Sequence, residues 1–115
     1  MTPQDFVRQI RSSVVEENLF LYKDIFTSTD PQTATDPHWK PALTLYGKLD
    51  SEDKNVMFDI VRQVMVDTIS NVFAVLDGVS QLDGQVCEFS LTSNSGSQRI
   101  NGELQDRFLE LEENR

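Results

Sequence analysis

The sequence holds a single cysteine and a single histidine in 115 residues. A zinc site built from Cys and His cannot be assembled from so few ligands, and no internal disulfide can form. Calcium loops need alternating Asp/Asn, a central glycine and a closing acid, a pattern that Asp77-Gly78 and Asp83-Gly84 do not supply. The five glycines are scattered, which leaves no glycine-rich phosphate loop. No Gly-x-Ser-x-Gly elbow or cysteine-nucleophile signature accompanies His38, so it reads as a surface or loop-anchoring residue rather than a general base. No metal, cofactor or catalytic group is expected.

Long apolar runs are missing too. None approaches the roughly 20 residues that cross a bilayer, and Met1-Thr2-Pro3-Gln4-Asp5 lacks the basic and apolar stretches of a secretory leader. The expected location is cytoplasmic, without a membrane partner. Basic residues are the scarcest class relative to their counterparts: ten Lys and Arg stand against nineteen Asp and Glu, for a formal net charge of −9. Such a surface repels phosphates, so nucleic acid is not an expected partner, whereas a basic protein would be steered toward it.

What is present suffices for a core. Hydrophobic residues make up 38% of the chain, and its length is that of one domain, spanning 1–115. Thr2-Pro3-Gln4-Asp5 offers a capping hydroxyl, a proline at the first helical position and an acid in the first turn. Phe6, Ile10, Val14, Leu21 and Ile25 follow at helical spacing, predicting a helix over about 3–26 with a bend near Ser12-Ser13. Residues 27–37, with two Asp-Pro pairs, read as a loop. A short helix follows through Trp39, Leu43 and Tyr46, starting near Asp36-Pro37 or Lys40-Pro41 and stopping at Gly47. The aromatic residues Phe20, Tyr22, Trp39 and Tyr46 are expected to be core.

Asp50-Ser51-Glu52-Asp53 opens the longest helix, which Gly78 terminates and which is expected over 51–76. Its apolar residues cover well over half the circumference, predicting a central helix buried on two sides or against another subunit. Its polar side carries Asp59, Arg62, Gln63, Asp67, Ser70, Asn71 and Asp77, with Asp59 expected to pair with Arg62 one turn on.

Beyond it, Cys87, Phe89 and Leu91 alternate with polar residues at strand period. Ser93-Asn94-Ser95-Gly96 could reverse the chain into a second strand over 97–100, giving a hairpin packed on the helices with Cys87 as a buried thiol. Asn101 is expected to cap a last helix through Leu104, Phe108 and Leu111, whose acidic end should fray. The expected fold is mainly α (α+β): three to four helices around a long central one, with one C-terminal β-hairpin.

The segments Arg62-Gln63-Val64-Met65-Val66-Asp67-Thr68, Leu76-Asp77-Gly78-Val79-Ser80 and Ile100-Asn101-Gly102-Glu103-Leu104-Gln105-Asp106 resemble a family of small uncharacterised bacterial proteins. In size, acidity and lack of active-site chemistry the chain is also similar to bacterial immunity proteins, and that resemblance implies direct binding of a cognate toxin.

Three functions are therefore weighed. The first is a non-enzymatic, immunity- or antitoxin-like protein covering a basic toxin domain, such as a nuclease, with Glu52, Asp53, Asp59, Arg62, Gln63, Asp67, Asn71 and Asp77 as contacts. The second is a homo-oligomeric regulatory or housekeeping module using the apolar excess of the long helix. The third is a small carboxylate-dependent enzyme, which would need two acids converging in a cleft.

Overall fold

Thr2 starts the first helix by exchanging hydrogen bonds with Asp5: the Asp5 N–H donates to Thr2 Oγ1 at 3.1 Å, and the Thr2 N–H donates to Asp5 Oδ2 at 3.2 Å. The computed structural model describes residues 1–94 and 98–115 of the chain. Helix α1 (Pro3–Ile10) runs into a π-helical segment (Arg11–Glu16) and on into α2 (Glu17–Ser28), forming one continuous rod. Where a bend was expected near Ser12-Ser13 the chain is π-helical, and the Glu17 N–H donates to the Ser12 carbonyl five residues back.

Asp36 opens the next helix, accepting from the His38 and Trp39 N–H groups through its side chain and carbonyl respectively. Helix α3 (Trp39–Gly47) tolerates Pro41 because its first turn has no intrahelical N–H bonds to lose. Helix α4 (Ser51–Leu76) begins at Asp50, whose side chain accepts from the Asp53 N–H at 2.8 Å. It ends at Gly78, which takes φ +80°; the Val79 N–H then reaches the Ala74 carbonyl and the Gly78 N–H that of Val75. That pair of bonds closes the helix as a Schellman motif. Helix α5 (Leu104–Glu113) completes the fold.

Two clusters anchor opposite ends of α4. Near its C-terminal half, Val66 and Phe73 pack with Val7, Val15, Ile100, Leu104 and Phe108. Around its N-terminal half, Phe26 meets Trp39, Tyr46 and Phe58 at ring-centroid distances of 5.4, 5.1 and 5.9 Å. Tyr22 joins through Trp39, while Phe20, expected in the core, is 73% exposed.

The predicted hairpin is absent: among the described residues there is no strand. The physical reason is competition for the backbone groups. Among the described residues, one ladder-like bond joins the two segments, from the Ile100 N–H to the Leu91 carbonyl at 2.7 Å. Side chains take the neighbouring backbone groups, with Asn101 Oδ1 accepting from the Leu91 N–H, and Asn101 Nδ2 and Arg99 Nη2 donating to the Phe89 carbonyl. Cys87 is correspondingly exposed instead of buried. The reversing turn at Ser95-Gly96 and the start of the second strand at Ser97 lie outside the described residues.

The molecule measures 51 × 34 × 25 Å with a radius of gyration of 17.8 Å. A compact chain of this length has a radius near 13 Å. No helix among the described residues is long and apolar enough to cross a membrane.

Candidate functional site

Arg62 does not stand on a polar face with Asp59. At 100° per residue it shares the direction of Val66, Ile69 and Phe73, and its side chain points into the protein, where the residue is buried. There its Nη1 donates to Glu112 Oε1 at 2.6 Å, and its Nη2 to Glu112 Oε2 at 3.0 Å and Glu16 Oε1 at 2.5 Å. Arg11 completes the group, with Nε 2.6 Å from Glu112 Oε2 and Nη2 3.7 Å from Glu16 Oε1. Arg11 and Glu16 are five apart, so the wider π turn lets both face Arg62.

The Arg62 hydrogen bonds hold the Glu112 carboxyl down from 4.5 to about 2, with Arg11 adding to the effect and burial opposing it. The guanidinium of Arg62 is held charged by the same bonds. This group pins the first rod, α4 and α5 together, and it keeps α5 wound to Glu113 where acidic residues at a helix C-terminus favour fraying. Sequence reading missed Arg11, Glu16 and Glu112. No local spacing links residues this far apart, and the one signal was the position of Arg62 on the apolar side of its helix.

Asp77 also turns inward. Its Oδ1 accepts from the Gly102 N–H at 2.6 Å and its Oδ2 from the Gln105 N–H at 2.8 Å. It thereby caps α5, the role expected of Asn101, and Gly102 meets it with φ +137°, a conformation glycine alone adopts readily. Asn101 instead organises the loop between α4 and α5. It is buried, and its Nδ2 donates to the Leu76 and Phe89 carbonyls while its Oδ1 accepts from the Leu91 N–H and Arg99 Nε.

The remaining predicted contacts stay on the surface. Glu52 and Asp53 are exposed in the first turn of α4, and Asp59, Gln63, Asp67 and Asn71 are exposed along it. Gln63 donates to Asp67 at 2.9 Å. No group of three or more His, Cys, Asp or Glu able to hold a metal occurs among the described residues. A cavity of about 230 Å³ beside the loop is lined by Asp77, Cys87, Glu88 and Arg99, but both Asp77 oxygens already accept backbone bonds.

Helix α4 also exposes apolar side chains. Outside the core, Val56, Ile60, Val64 and Val72 of α4 are 50, 59, 58 and 54% exposed. Each four-residue step turns about 40°, so Val56, Ile60 and Val64 share one side of α4 while Val72 lies about 160° round from Val56. Beside them, Asn18 and Tyr22 of α2 and Ile60, Val61, Val64 and Met65 of α4 line a shallow groove of about 340 Å³. Leu21, one turn beyond Asn18, is exposed as well.

No protein-family model, curated protein or solved structure matches the chain.

Proposed function

We propose that this protein is a non-catalytic, acidic binding module that works by presenting the apolar face of α4 and α2 to another protein. The exposed Val56, Ile60 and Val64, beside the groove that α4 forms with Asn18 and Tyr22 of α2, carry this reading. Contiguous apolar surface rimmed by polar residues marks interaction sites, whereas isolated exposed apolar side chains do not. The exposed carboxylates Asp53 and Asp67 would frame the contact. This reading keeps the cytoplasmic placement expected from the sequence.

A second reading is favoured by the net charge of −9. In it the chain is immunity-like and neutralises a basic toxin domain through Glu52, Asp53, Asp59 and Asp67. The two readings separate by photo-crosslinking. A photoreactive residue placed at Val64 should form a covalent protein adduct in living cells, while one at exposed Thr44 on α3 should not. Adducts at Asp59 but not at Val64 would favour the carboxylate-led reading, and no adduct at either position would end both.

A further inference from the structure

We propose that Asn101-Gly102 is a latent modification site: the fold restrains its side-chain amide from cyclising, and opening of the loop between α4 and α5 lets it convert irreversibly.

The sequence supplies the chemistry. Of the six asparagines, Asn101 alone is followed by glycine. An asparagine side chain can be attacked by the backbone nitrogen of the next residue. Glycine presents that nitrogen with no side chain to hinder it and with the widest backbone freedom. In the reaction the Gly102 nitrogen gives its proton to solvent base and forms a bond to Asn101 Cγ. The Cγ–Nδ2 bond breaks, and Nδ2 leaves as ammonia with a proton drawn from water. Water then opens the cyclic imide. Cleavage between Cγ and the nitrogen leaves aspartate. Cleavage between the main-chain carbonyl carbon and the nitrogen leaves isoaspartate, whose backbone runs through the former side chain. Nothing is oxidised or reduced.

The fold restrains both reacting groups. The Gly102 N–H donates to Asp77 Oδ1 at 2.6 Å, and a carboxylate so close opposes the negative charge that the nitrogen must acquire. Asn101 is 5% exposed, and both protons of its Nδ2 are committed, to the Leu76 and Phe89 carbonyls. Its Oδ1 accepts from the Leu91 N–H at 2.7 Å and from Arg99 Nε at 3.1 Å. Those two donors polarise the amide carbonyl, which alone would favour attack. Closing the ring, however, makes Cγ tetrahedral and moves Oδ1 and Nδ2 away from all four partners. Restraint outweighs activation.

The product cannot rebuild the loop. Aspartate has no donor for the Leu76 and Phe89 carbonyls and sets a negative charge against them. Isoaspartate adds one carbon to the main chain between Ile100 and Gly102. Ile100 is tied to the Leu91 carbonyl and the core while Gly102 is tied to Asp77, so both anchors cannot be kept. An opening that ends in conversion is therefore not reversed, and the frequency of opening sets the lifetime of the folded chain.

Peptide mapping of the purified full chain at neutral pH tests this, reading the mass gain from exchange of an amide NH2 for OH. In guanidinium chloride, Asn101 should convert ahead of the other asparagines. In native buffer it should convert about 100-fold more slowly, behind Asn94, which is exposed in the same loop. Asp77→Ala should accelerate native conversion about tenfold, since loss of a cap raises the open population by that order. Asp50→Ala removes a cap of the same kind from α4 and should leave the rate near wild type. Converted chain, separated by its added negative charge, should unfold at lower denaturant than unconverted chain.

Native conversion at the denatured rate would overturn the shield, and that comparison needs no variant to fold. An Asp77→Ala rate equal to wild type, or equal acceleration by Asp50→Ala, would remove Asp77 from it. Unchanged stability of the converted chain would overturn the irreversible step.

Discussion

Glu112 receives both terminal nitrogens of Arg62, at 2.6 and 3.0 Å, across fifty residues of sequence. The planar guanidinium matches the carboxylate fork, so the pair fixes the angle between α4 and α5 as well as their separation.

Removing one partner should cost more than removing the group. Glu112→Ala leaves Arg62 buried and short of acceptors, and should destabilise the fold by about 2–4 kcal/mol. Replacing Arg62 by Met together with Glu112 by Leu should recover most of that loss, since an apolar pair of similar volume avoids desolvating charge. Urea denaturation of the two single variants and the double variant checks this. Additive losses would show that the pair is not coupled.

The same pair sets an acid limb on stability. Glu112 is held down from 4.5 to about 2, so the folded state binds fewer protons than the unfolded state in that interval. Its contribution is complete above 4.5 and disappears as pH falls toward 2. The urea midpoint should fall on acidification through this window. Glu112→Gln should lose that part of the pH dependence, and an unchanged acid limb in the variant would refute the assignment.

Asp77 holds α5 by its first turn. Asp77→Ala should cost about 1–2 kcal/mol, the usual value of a lost helix cap. Hydrogen exchange of the Gly102 and Gln105 amides should accelerate ahead of the rest of α5. Uniform acceleration along the helix would instead indicate a general loss of stability.

Asn101 concentrates the bonds of the loop between α4 and α5. Asn101→Ala leaves the Leu76 and Phe89 carbonyls and the Leu91 N–H without this partner, an expected loss of about 2–4 kcal/mol. Asn101→Asp keeps the acceptor but removes the donating amide, so it should rescue little. Thermal unfolding of both variants measures the difference, and wild-type stability in Asn101→Asp would show that the two carbonyls do not depend on the side chain.

Local chemistry made the helices legible: the Thr2–Asp5 exchange, the Asp50 cap and the Gly78 stop all act within a few residues of where they appear. The C-terminal third misled for a long-range reason. Phe89 and Leu91 alternate like a strand, but whether their backbone pairs with another strand is decided by Asn101 and Arg99, ten or more residues away. Two residues expected on the acidic contact surface are placed elsewhere for a related reason. Counting Arg62 and Asp77 as polar placed them at the surface, whereas partners on the first rod and around α5 draw both inward. The apolar excess of α4 was visible in composition, yet its division between core and uncovered stripe depends on where α2 and α5 pack.

The π segment gives the first rod a phase correction. Without it, Val7, Val15 and Leu19 would wander about 120° around the axis at 100° per step; the extra residue in the wide turn takes back about 100° of that drift. All three are buried, so a rod spanning 3–28 can feed one cluster with its first half and the aromatic cluster with its second. Regularising that turn at full length would rotate Phe26 by about 100° away from Trp39, Tyr46 and Phe58, whereas deleting a single residue between Arg11 and Glu16 would restore an ordinary helix with Phe26 still facing them. The width of that turn, and not the side chains of exposed Ser12 and Ser13, therefore sets which way the second half of the rod faces.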